Sequence, residues 1–68
     1  MKVGEIYKHY KGNIYQIIAL AKHSETAEDM VVYQNVEHKD IWVRPKYMWN
    51  EIVDDKGTKR FSLVENNV

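Results

Sequence analysis

Short runs of β-branched and aromatic residues, each fenced by turn-forming residues, leave this chain little choice but a meander of strands. The clearest run, residues 14–21, follows Gly12-Asn13 and reads Ile-Tyr-Gln-Ile-Ile-Ala-Leu-Ala. Alanine and leucine also suit a helix. The run is short, however, lacks an upstream cap and starts at a glycine turn, so a strand is predicted. Lys11-Gly12-Asn13 ties it as a hairpin to residues 5–10, where Ile6 and Lys8 take one parity and Tyr7 and His9 the other.

Residues 22–29 are polar and form an exposed loop, and residues 30–34, Met-Val-Val-Tyr-Gln, supply a third strand. A second polar connection, 35–40, leads to a fourth strand over 41–44. Pro45 holds Arg44 extended and its fixed φ suits the start of one helical turn over 46–49. Residues 51–54 are expected to form a fifth strand, turning through 55–58 into a closing segment over 59–63, with a frayed tail from Glu65 to Val68. Short strands, one helical turn and a closing strand are the elements of a mostly β, SH3-like barrel of about five strands.

Size limits the alternatives. With 68 residues the chain has apolar surface for a single core, so one domain is expected over residues 1–68, ordered over about 4–63. It has no cysteine, which removes disulfides, thiolate nucleophiles and zinc-thiolate sites and fits a reducing, cytoplasmic setting. Ten basic residues balance ten acidic ones, so no global field draws the chain to nucleic acid or to an anionic membrane. No apolar stretch is long enough to span a bilayer, and the start of the sequence does not have the pattern of a secretory signal.

Several phrases occur in a recognisable order: Tyr7-Lys8-His9-Tyr10-Lys11-Gly12, Ala21-Lys22-His23-Ser24-Glu25-Thr26, Val31-Val32-Tyr33, Trp42-Val43-Arg44-Pro45 and Arg60-Phe61. Together they resemble the small bacterial family catalogued as domain of unknown function 1653, from Gly4 to Phe61. The resemblance implies a bacterial module, standalone or appended, without an assigned activity or assigned site residues. Trp49 departs from the family pattern, which more often resembles phenylalanine there, and the exchange preserves an aromatic core role.

Candidate sites therefore come from the residues themselves. His23, Ser24, Glu25 and Thr26 place an imidazole, two hydroxyls and a carboxylate together, which invites a nucleophile with a base. Neighbouring side chains on extended backbone diverge, whereas a triad draws its members from distant segments, so a loop ordered by its own hydrogen bonds is the better expectation. On the fourth strand Trp42 and Arg44 share one face, and Ile41 and Val43 the other. Either Trp42 and Arg44 form an outward aromatic-cation pair, or Trp42 anchors the core and Arg44 sits at the rim, capping carbonyls or pairing with Glu25 or Glu51.

Tyr7 and His9 offer a further aromatic face. His9, His23 and His38 lie in separate segments without metal-ligand spacing, so no metal or cofactor is expected. The leading expectation is a noncatalytic binding module. Its ligand site comprises His23, Ser24, Glu25 and Thr26 with Arg44, Trp42, Tyr7 and His9. The alternatives are an RNA- or DNA-binding domain by fold analogy, a small hydrolase or transferase with His23 as general base, and a protein-protein interaction domain, monomeric or a homodimer paired through a strand edge.

Overall fold

The computed structural model describes residues 1–65. It contains β1 (Ile6–His9), β2 (Ile14–Lys22), β3 (Asp29–Asn35), β4 (Ile41–Pro45), a 3-10 turn (Lys46–Met48) and β5 (Phe61–Glu65). All neighbouring strands are antiparallel, in the order β4-β3-β2-β1-β5. The β2 strand forms without helix because both its neighbours satisfy its backbone. At the β1–β2 turn Gly12 takes φ 107°, which a side chain rarely adopts, and its N–H donates to the His9 carbonyl at 2.8 Å.

Two expectations need correction. Residues 51–54 are not a strand: Ile52 and Lys59 make only an isolated bridge, and the Asp54 carboxylate accepts the backbone N–H of Lys56 at 2.9 Å and of Thr58 at 3.1 Å. That side chain winds the segment into a turn before a ladder can grow. The closing strand accordingly starts at Phe61 rather than at residue 59. The sheet is also open: β4 and β5 are its two edges, and no ladder joins them among the described residues. Of the tail expected to fray, Glu65 ends β5 and residues 66–68 lie outside the described residues.

A bulge in β2 determines what the sheet encloses. Ile17 pairs with Tyr33 but Ala19 pairs with Val32, so Ile18 is the extra residue and the strand bends there. The bend folds one sheet face over a core of Ile17, Val31, Tyr33, Trp49 and Phe61, with Tyr7 and Tyr15 packed against it. Trp49, carried in just after the 3-10 turn, is fully buried. Its ring stacks on Phe61 at 3.8 Å and meets the edges of Tyr33 at 5.0 Å and Tyr7 at 5.3 Å. Residues from three separate strands thus converge on one indole.

The N-terminal end is tied down by a buried carboxylate. Glu5 accepts the Lys2 backbone N–H at 2.8 Å and the Tyr7 O–H at 3.0 Å. The Lys2 N–H holds the Glu5 carboxyl below its usual range against the opposing effect of burial, and Tyr7 adds to the lowering. Burial, with the Glu5 contact, pushes the Tyr7 phenol up to about 12. A lowered carboxyl contributes stability above its unfolded pKa, and that contribution is lost as pH falls through the folded value. A raised phenol contributes below pH 10.0, and its contribution is lost as pH rises towards about 12. In a Tm-versus-pH series, Glu5→Gln should flatten the acid limb and Tyr7→Phe the alkaline one; an unchanged acid limb in the Gln variant would refute the assignment.

Candidate functional site

Cross-strand partners in a ladder share a face. Arg44 lies opposite Val31 and Trp42 opposite Tyr33, so both belong to the core face, and Ile41 and Val43 belong to the outer one. Neither sequence alternative holds in full. Trp42 has the orientation of a core anchor, but β4 is an edge strand and the ring is left about half exposed.

Arg44 reaches the rim as expected and pairs with Glu51, not with Glu25. Its Nη1 is 3.9 Å from Glu51 Oε1, and Arg60 Nε donates to the same oxygen at 3.2 Å. One carboxylate therefore serves two guanidinium groups. The Arg44 guanidinium also lies 5.7 Å from the Phe61 ring centroid. Arg44 Nε and Trp49 Nε1 are buried and have no hydrogen-bond partner among the described residues.

Contacts continue from Phe61 to His9 at 5.1 Å and from His9 to the exposed Tyr10 ring at 4.6 Å. Burial, followed by the charges of Arg60, Lys11 and Arg44, lowers the His9 pKa. The imidazole is therefore held neutral at pH 7, and Nδ1 accepts the Lys11 backbone N–H at 3.2 Å, leaving the ring proton on Nε2. Tyr7 shares the face, but its ring packs on Trp49 and its hydroxyl is committed to Glu5.

The remaining expected site residues lie elsewhere. His23, Ser24, Glu25 and Thr26 occupy the exposed β2–β3 turn, beyond the Lys22–Asp29 pair. His23 Nδ1 accepts the Glu25 backbone N–H at 3.1 Å, and Thr26 Oγ1 accepts that of Glu28 at 3.2 Å. These are the loop's own ordering bonds, and no hydrogen bond or ion pair joins the turn to Arg44 among the described residues. Nor does a hydrogen bond join Ser24 to His23, so a nucleophile-base pair is not assembled there. Next to the turn, Glu28, Asp29, Lys46, Tyr47 and Asn50 line a shallow cleft of about 450 Å³. No group of three or more His, Cys, Asp or Glu side chains converges as metal ligands among the described residues.

Arg60 and Tyr10 were not singled out in the sequence as site residues. Arg60 had a signal only as half of the Arg60-Phe61 phrase, and its partner Glu51 is nine positions away across a turn that composition does not position. Among the described residues, no helix is long and apolar enough to cross a membrane.

The family model described as "Protein of unknown function (DUF1653)" matches residues 5–63. A protein of that family from Bordetella bronchiseptica, known from a crystal structure, is similar over 100% of this chain and 92% of its own, with 33% sequence identity and a TM-score of 0.81. Among curated proteins, none matches.

Proposed function

From the premise that this chain belongs to the DUF1653 family, we propose that it is a noncatalytic binding module whose ligand lies on the exposed rim of the core face, against Trp42, Arg44, Arg60, His9 and Tyr10. One observation carries this reading. Arg44 and Arg60 present two partly exposed guanidinium groups on one shared carboxylate, on the face where Trp42 stands exposed. A planar ligand group carrying an acceptor, such as a peptide carboxylate or carbonyl beside a ring, would stack on Trp42 and accept from the guanidinium pair. By fold analogy the linear strand order, with a 3-10 turn between the fourth and fifth strands, supports an open SH3-like barrel, a frame that presents ligands to such a rim.

Charge placement favours a peptide or small molecule over nucleic acid. Lys22 is paired with Asp29, Lys8 lies on the outer face of β1, and Arg44 and Arg60 share Glu51, so these four cations are either partly neutralised or turned away from the rim. Titration of isotope-labelled protein with short peptides, nucleotides and oligonucleotides tests the reading. Amide and indole shifts should concentrate at Trp42, Arg44, Arg60, His9 and Tyr10, and Trp42→Ala should weaken binding about tenfold or more, as loss of a stacking ring does. Shifts confined to His23, Ser24, Glu25 and Thr26 would move the site to the β2–β3 turn. Affinity for oligonucleotides falling steeply with salt would make the module a nucleic-acid binder instead.

A further inference from the structure

Strand β4 is an edge whose backbone phase can be read from its hairpin. The Asn35 N–H donates to the Asp40 carbonyl at 3.0 Å, so Asn35 and Asp40 form a hydrogen-bonded pair. Pairs alternate along an antiparallel ladder, which makes Tyr33–Trp42 and Val31–Arg44 hydrogen-bonded and leaves the backbone groups of Ile41, Val43 and Pro45 pointing away from the sheet. Proline has no N–H to offer, so the outward donors on this strand are those of Ile41 and Val43. The side chains around them are unusually exposed for their type: 60% for Ile41, 52% for Trp42 and 61% for Val43.

We infer that two copies of this chain pair antiparallel along β4, with the two-fold axis at Trp42. In that register Ile41 faces Val43 of the second copy twice over, and the four outward N–H and C=O pairs of these residues satisfy one another. Trp42 meets Trp42 of the second copy at a non-hydrogen-bonded position, where side chains approach most closely. Asp40, which has no ion pair among the described residues, falls opposite Arg44 of the second copy on the same face. Ile41 and Val43 of both copies join on the outer face, continuous with Val32, which lies opposite Val43 within each sheet.

The neighbouring register, centred on Val43, is poorer. It sets the Ile41 carbonyl against Pro45, which cannot donate, and leaves that carbonyl unpaired at the junction. Pro45 at one end and the turn residue Lys39, with φ 69°, at the other confine the ladder to these few bonds. Because the contact is isologous it closes on itself and gives a dimer, not a fibre. A junction this short buries less than the roughly 1,600 Å² of a standard interface, which places the dimer in the weak, concentration-dependent class. Pairing through the edge leaves the core face open, so both Trp42 rings remain available from that side. The inference stands independently of the ligand reading.

The sequence lacks cysteine, so single cysteines report the register cleanly. Sedimentation equilibrium should show the 8.1 kDa chain passing to twice that mass as concentration rises towards the millimolar range. Under mild oxidation Trp42→Cys should cross-link to itself, whereas Val43→Cys, which faces Ile41, should not. In the unmodified chain, exchange protection of the Ile41 and Val43 amides should rise with concentration while that of Trp42 and Arg44 stays constant. Val43→Lys should hold the chain monomeric with its circular dichroism unchanged. A single 8.1 kDa species at millimolar concentration, or Val43→Cys cross-linking as readily as Trp42→Cys, overturns the inference.

Discussion

Trp49→Ala should remove about a third or more of the domain's stability at 25 °C. A buried tryptophan cut back to alanine costs about 3–5 kcal/mol through lost transfer energy and the cavity left behind. A 68-residue domain has a total stability of about 3–10 kcal/mol, so the loss takes a third or more of it and can take all. The position is also poorly placed to relax. The indole is stacked on Phe61 and touched edge-on by Tyr7 and Tyr33, which come from β5, β1 and β3, so removing it unlinks β3 from β1 and β5 across the core. Trp49→Phe should behave very differently. It keeps a ring against Phe61 and removes an indole N–H that is buried without a partner, a group that itself costs about 1–3 kcal/mol. Urea unfolding of the two variants checks the pair of expectations. A Trp49→Ala domain within about 1 kcal/mol of the parent would show that the aromatic cluster is not what holds the sheet together.

The strands were legible in the sequence because period-two alternation and turn chemistry are local. Residues 14–21 match β2 except at its last residue, and the aromatic turn after Pro45 supplies the core indole, as a covering residue should. What escaped was everything set by the way distant segments meet. The bulge at Ile18 leaves no mark, since Ile17 and Ile18 are equally β-branched and only the partner strand decides which one is extra. β4 carries apolar residues on both faces, a pattern that reads as a buried strand, yet it is an edge. That is why Trp42 fitted neither alternative offered for it: its face was right for a core anchor and its neighbourhood was not. At Asp54 the β-prone Ile52-Val53 pair lost to a carboxylate that captures two backbone N–H groups.

The same contrast applies to the candidate site. The 23–26 loop announced its polar groups in sequence, and the structure uses the His23 and Thr26 side chains to order its own backbone. The Arg44, Glu51 and Arg60 constellation was half visible. Glu51 was one of two acids available to Arg44, but nothing local indicated that a second arginine would claim the same oxygen.

That shared oxygen leads to the second large effect: Glu51→Ala should destabilise the domain and at the same time create an anion site. Removing the carboxylate leaves Arg44 and Arg60 facing each other without a counter-charge, on side chains that are only 24% and 28% exposed. Breaking a fully buried pair costs about 3–5 kcal/mol; with about a third of Glu51 exposed, solvent screening reduces this to about 2 kcal/mol. The backbone bond from the Arg60 N–H to the Glu51 carbonyl survives the substitution, so the loss reports on the side chain. Arg44→Met provides the control. It keeps aliphatic contact with Phe61, removes the buried unpartnered Nε and leaves Glu51 paired with Arg60, so it should cost less than Glu51→Ala. Inorganic phosphate or sulfate should then raise the Tm of the Glu51→Ala variant more than that of the parent, because the freed guanidinium groups bind the anion in the folded state alone. Equal stability of Glu51→Ala and Arg44→Met, or equal response of parent and variant to phosphate, would show that the two arginines are solvated independently and that Glu51 does not hold them for a ligand.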